Sequence, residues 1–194
     1  MLSDAGYLLL HEVRLRGLVV VDENAERASL VAELTEAGFV APARNAIRLT
    51  GEGRALHESW ARVSSEGEIE IAVTRGYERF LSINREFLRL CNDWQVRPGN
   101  VPNDHRDAKY DWAVVDRLRN LDERVAPVVR RVGRSVARFE PYPRRLREAL
   151  RHVDEGEHDW FTSPRIDSYH TVWMQLHEDL LLALGRSREH EPQA

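Results

Sequence analysis

Residues 44–57 read RNAIRLTGEGRALH, and the order of that stretch decides the fold of the first third of the chain. Ala46-Ile47-Arg48-Leu49 is a short β-type run, and Phe39-Val40-Ala41 upstream is another. Pro42 to Asn45 separate them, with Asn45 the residue that best tolerates a left-handed turn. Thr50 is a natural N-cap, Glu52 suits the first turn behind it, and Ala55, Leu56 and Trp60 carry a helix onward. The segment predicts a tight hairpin that leads straight into a capped helix.

Two helices are predicted ahead of it. In residues 5–17, Leu8, Leu9, Val13 and Leu15 fall near one helical face, and Gly17 ends the run. In residues 22–37, Ala28, Leu30, Val31 and Leu34 recur at helical spacing, Asp22, Glu23 and Glu26 suit the helix start, and Gly38 stops it. Only Leu18 to Asn24 lie between the two helices, and Val19-Val20-Val21 favours strand.

Helix, helix, hairpin, helix in about 60 residues, with LVAELTEAGFV at 30–40 and IRLTGEGRALHE at 47–58, resembles the winged-helix domain of MarR-type bacterial transcription regulators. Leu49, Thr50, Gly53 and Arg54 stand where that family has leucine and threonine, two spacers, then Gly-Arg. The resemblance implies that the 22–37 helix reads DNA and the 44–48 segment is the wing. Asn24, Arg27, Ser29, Arg44, Arg48 and Arg54 would be the DNA-binding residues, the arginines on phosphate and Asn24 and Ser29 on base edges. The chain departs from the pattern in leaving no room for the short helix that normally precedes the recognition helix.

Charge sets a second reading beside the first. Residues 1–63 carry seven arginines against nine acids, about -2, where DNA-binding modules neutralise several phosphates. The alternative is a protein-interaction or regulatory subunit that keeps a degenerate winged helix and binds no DNA. The whole chain of 194 residues has a net charge of -4, which argues against non-specific coating of nucleic acid. Of its 28 basic residues 27 are arginine, and Lys109 is the one lysine. Such a bias reads as codon usage, so single arginines carry less weight than usual.

After Ser64-Ser65-Glu66-Gly67 the pattern changes. Val73, Tyr77, Phe80, Asn84, Phe87, Cys91 and Trp94 recur at alternating four and three, a heptad seam on one long helix from Glu68 to Trp94. The stretch QVRPGNVPNDHRD then reads as a loop. A helix follows through Trp112, Val115, Leu118 and Leu121, with a kink or fresh start expected at Pro127. A short helix over RRLREALRHV and a final one over YHTVWMQLHEDLLLALG complete the set. The fold class expected is mainly α: a winged-helix-like domain at 1–64, a helical bundle for dimerisation or sensing at 65–186, and a disordered tail at 187–194.

Three groups in the second part could carry chemistry. Arg131, Arg134 and Arg138, three and four apart, would share a helix face and bind an anionic group or pair with acids. Tyr77, Asn84 and Trp94 on the seam could line an effector pocket, or Asn84 could fix helix register. Asp104, His105 and Asp107 in the loop, with His170, His177, Glu178 and Asp179 on the last helix, form a scattered histidine and acid set. His170 and His177 are seven residues apart, about 10 Å along the axis, too far to share an ion, so no metal is expected. Cys91 is the only cysteine, which leaves no disulfide.

The N-terminus MLSDAGYLLLHEVRLRG predicts neither a secretory signal nor a membrane span, and a cytoplasmic location follows by default. Phosphate-binding glycine loops, nucleophile elbows and paired-histidine zinc helices are absent, so neither enzyme activity nor a cofactor is expected. The expected partners are DNA, a second copy of the chain as a homodimer, and a small-molecule effector.

Overall fold

The computed structural model describes residues 2–21, 24–64 and 67–188. The acidic start expected at Asp22 and Glu23 and the tail beyond 188 lie outside the described residues. The protein is mainly helical, with two small antiparallel sheets among the described residues, and divides into two compact units. The first takes in the described residues up to Val63 and from Leu181 onward; the second runs from Ser64 to Leu180. Residues 181–184 therefore belong with the N-terminal unit, not with the bundle expected at 65–186.

The first unit is built as α1 (Asp4–Arg16), β1 (Val19–Val20), α2 (Ala25–Glu36), β2 (Val40–Ala43), β3 (Ala46–Leu49) and α3 (Gly51–Ala61). The sheet order is β1-β3-β2, all antiparallel, with Val19 opposite Ile47 and Val40 opposite Leu49. Its core is Leu9, Leu10, Val13, Val19, Leu34, Val40, Ile47 and Leu49. The inward face of α1 thus centres on Leu9, Leu10 and Val13, while Leu8, expected on that face, is half exposed. The hairpin closes through Arg44 and Asn45, and it is Arg44 (φ 59°), not Asn45, that takes the left-handed conformation.

Thr50 caps α3 as its sequence position suggests. Its Oγ1 accepts from the Gly53 N–H at 3.0 Å and donates to the Gly38 carbonyl at 2.7 Å. The Thr50 N–H reaches the Phe39 carbonyl at 3.1 Å. A Cβ on Gly53 would overlap that same carbonyl, whereas one on Gly51 would meet nothing within 4 Å. The two glycines of the stretch are therefore not equivalent: the second lets the helix start lie against the backbone of Phe39 just ahead of β2, and the first is free.

The second unit holds α4 (Glu68–Gln95), β4 (Val96–Arg97), β5 (Val101–Pro102), α5 (Ala108–Ser135), a single 3₁₀ turn (Ala137–Phe139), α6 (Tyr142–Asp154), α7 (Asp159–Thr162) and most of α8 (Tyr169–Leu184). All seven seam residues of α4 are buried. They pack within the unit: Phe80 and Phe87 lie 4.8 and 4.4 Å from Trp173 between ring centroids, and a Cβ on Gly76 would overlap Val132 of α5. The expected loop after α4 contains the β4–β5 hairpin, with Val96 opposite Pro102. The expected break at Pro127 does not start a new helix. α5 runs through it, and Pro127 sits on the exposed face, where water can satisfy the carbonyl it leaves unbonded. No helix among the described residues is long and apolar enough to cross a membrane.

Candidate functional site

Chemistry in the second unit gathers where the β4–β5 hairpin hands the chain to α5. Asn103 anchors the turn: its N–H donates to the Gln95 carbonyl at 2.8 Å, and its side-chain amide donates to the Trp94 carbonyl at 3.0 Å and to Asp111 Oδ1 at 2.8 Å. Those two acceptors use both amide hydrogens. Asp107 caps α5 by accepting from the Tyr110 N–H at 3.1 Å and pairs with Arg97 at 2.7 Å. The Tyr110 hydrogen bond foremost, with Arg97 adding to it, holds the Asp107 carboxyl below its ordinary range.

Between these anchors His105 adopts φ 57°, a conformation uncommon outside glycine. Its Nδ1 faces Asp111 Oδ2 at 3.1 Å, and its ring lies 4.5 Å from Trp94 and 4.7 Å from His158 between centroids. One ring nitrogen from each histidine and a carboxylate oxygen of Asp111 lie within 4.8 Å of one another. The three groups edge a cavity of about 150 Å³, whose apolar walls include Trp94, Val115 and Val153. Asp111 is buried, His105 partly so, and His158 exposed.

The histidine and acid set read from the sequence around His105 does not come together. His170 instead packs against Phe87, its pKa lowered by burial, and His177 sits buried between Tyr77 and Phe80. Asp179 is committed to Arg138 at 2.8 Å and to the Tyr142 hydroxyl at 3.2 Å. Asp111 and His158 went unnoticed. For Asp111 a signal exists: at i, i+4 and i+7 from it stand Val115 and Leu118, so it occupies the apolar stripe of α5, where a carboxylate needs a reason. For His158, which meets Asp111 across 47 positions, no local pattern exists.

The six residues expected to bind a ligand do not converge. Tyr77 and Trp94 are 17 residues apart on one helix, about 25 Å along its axis at 1.5 Å per residue. Of the three seam residues only Trp94 reaches the cavity. Asn84 is engaged by the Trp173 indole N–H at 2.8 Å. Arg131 and Arg134 are exposed on α5, but the helix ends at Ser135, and Arg138 on the following 3₁₀ turn swings inward to Asp179. The shared arginine face expected from spacing is therefore not formed.

In the first unit, Arg44, Arg48 and Arg54 are exposed and make no ion pair among the described residues. Arg44 is at the hairpin turn, Arg48 on the outward face of β3, and Arg54 in the first turns of α3. Arg27 is drawn back to Glu12 of α1 at 2.9 Å, and Asn24 spends its side-chain oxygen capping α2. Ser29 is exposed, on an outer face shared with Glu26, Glu33 and Glu36. The chain matches no protein-family model, no curated protein and no solved structure.

Proposed function

We propose that the protein is a cytoplasmic transcription regulator of winged-helix type, MarR-like in its first unit, that contacts DNA chiefly through the β2–β3 hairpin. The observation carrying this reading is the sheet order β1-β3-β2 with an exposed β2–β3 turn, and with Arg44, Arg48 and Arg54 exposed on and beside it and engaged in no ion pair among the described residues. Arginines presented this way suit phosphate or minor-groove contact. The acidic outer face of α2 and the pairing of Arg27 with Glu12 argue for a lesser part for that helix. In this reading the second unit serves homodimerisation and effector sensing.

The test is a salt titration of binding to mixed genomic DNA fragments, comparing the protein with Arg44→Ala/Arg48→Ala. Binding that weakens with salt, and a double variant with weaker affinity and a log–log slope shallower by about 1–2, support the reading, since each phosphate contact contributes roughly 0.9 to that slope. A folded protein that binds no DNA at low salt overturns it. The same acidic α2 face favours the second reading, a regulatory subunit that contacts another protein through this scaffold.

A further inference from the structure

We propose that His105, Asp111 and His158 bind a divalent transition-metal ion of the zinc and iron(II) class at the edge of the cavity under Trp94. This goes beyond the DNA-binding reading and does not rest on it.

Three observations converge. The first is charge. Asp111, Asp122 and Asp179 are the buried carboxylates among the described residues. Asp122 faces Arg147 at 3.6 Å and Asp179 faces Arg138 at 2.8 Å. Among the described residues Asp111 alone of the three has no arginine or lysine against it, in a chain with 27 arginines; its ion-pair partner there is His105. A buried carboxylate wants a positive charge close by, and here two imidazoles frame the place where one would sit.

The second is geometry. Two ligand atoms on one ion stand about 3.0–3.4 Å apart when each bond is about 2.0–2.1 Å. Asp111 Oδ2 and His105 Nδ1 are already 3.1 Å apart, and a ring nitrogen of His158 stands within 4.8 Å of the other two ligand atoms. The third is support behind the ligands. Asn103 holds Asp111 Oδ1 at 2.8 Å, which turns Oδ2 toward the histidines, and the left-handed backbone at His105 aims its ring the same way. Outer partners of this kind orient metal ligands.

The ligand set fixes the class of ion. Two imidazoles with one carboxylate suit zinc, iron(II), cobalt(II) or nickel(II), whereas calcium and magnesium prefer oxygen alone. Three protein ligands leave at least one position for water or a small anion, and the cavity of about 150 Å³ lies beside it. His152, Glu155 and Glu157 form another close group, but Arg151 already pairs with Glu155 there, and His152 is stacked on Trp160 at 3.9 Å. That group serves as the control.

The test uses the full chain without an affinity tag, titrated with cobalt(II) and followed by visible d–d absorption. Metal content after dialysis against zinc is measured in parallel. The expected result is one ion per chain, with at least tenfold weaker binding in His158→Ala and in Asp111→Asn and unchanged binding in His152→Ala. His158 is exposed, so its variant should fold, and circular dichroism checks this. Absence of saturable binding overturns the proposal, as does binding undiminished in folded His158→Ala. Binding lost in His152→Ala instead would move the site to the other cluster and equally overturn it.

Discussion

The indole N–H of Trp173 on α8 donates to the side-chain oxygen of Asn84 on α4 at 2.8 Å, with both residues buried. The bond ties together two helices whose facing surfaces are otherwise aromatic. Asn84→Leu keeps the branched shape, with somewhat larger bulk, but strands a buried donor, and we expect a loss of about 1–3 kcal/mol. Trp173→Phe removes the donor at its own packing cost. The loss in the double variant should fall short of the sum of the two single losses by about 1 kcal/mol, measured by chemical denaturation. Additive losses would show that the bond contributes nothing specific.

Gly53 and Gly51 should respond in opposite directions to the same change. Gly53→Ala drives a methyl into the Phe39 carbonyl, where backbone rather than a flexible side chain must give way. A loss of about 2–4 kcal/mol is expected, the range of severe overpacking. Gly51→Ala meets open space at the first helical position and should be neutral or stabilise by up to about 1 kcal/mol. Thermal melts of the two single variants decide it.

Gly76 seats Val132 where α4 crosses α5. Gly76→Ala should destabilise by about 1–3 kcal/mol through overpacking. Val132→Ala in the same background should recover part of that loss, although alone it would leave a cavity. Failure of the second substitution to rescue the first would mean that the helices separate instead of repacking.

Asp122 gives a pH signature. Burial above all raises its pKa from 3.8, against the opposing pull of the Tyr169 hydroxyl at 3.1 Å and of Arg147. A carboxyl whose folded pKa is raised favours the fold while protonated. That contribution is complete below the unfolded value near 3.8 and fades as pH rises through the folded value. Asp122→Asn keeps an acceptor for Tyr169 and removes this dependence. Its stability relative to the parent should therefore improve from about pH 4 upward, read from melting temperatures across the series. A difference that is flat with pH would contradict the assignment.

Burial raises the Cys91 thiol to about 12, so its thiolate is scarce at neutral pH. A disulfide-exchange reagent should label the native protein far more slowly than the unfolded chain. Fast labelling under native conditions would show that α4 opens locally at that position.

Features set by neighbours in sequence were legible. Thr50, Glu52 and the two β-type runs specify a hairpin and a capped helix by local chemistry, and the heptad on α4 specifies its buried side by periodicity. Other features depended on where the chain turns. Arg138 was placed on a helical face by its spacing from Arg134, yet Val136 is extended (φ -141°), so the arginine points inward to Asp179. Residues 96–102 carry too little apolar pattern to announce a hairpin, with Pro98, Gly99 and Pro102 all favouring irregular chain. The meeting of His105 and Asp111 with His158 depends on how α5 packs with α6 and α7, for which no spacing rule exists.

The division within α8 bears on how the protein can be taken apart. Leu181 to Leu184 belong with the N-terminal unit, and the Ala183 carbonyl accepts from the Val63 N–H at 2.9 Å. A fragment cut at residue 64 would end one half of that hydrogen bond in water and lose the apolar turn the unit folds with. It should be less soluble and less stable than its length suggests. Dissection by expression of halves would therefore mislead, whereas nicking the intact protein between residues 63 and 68 should leave both pieces associated.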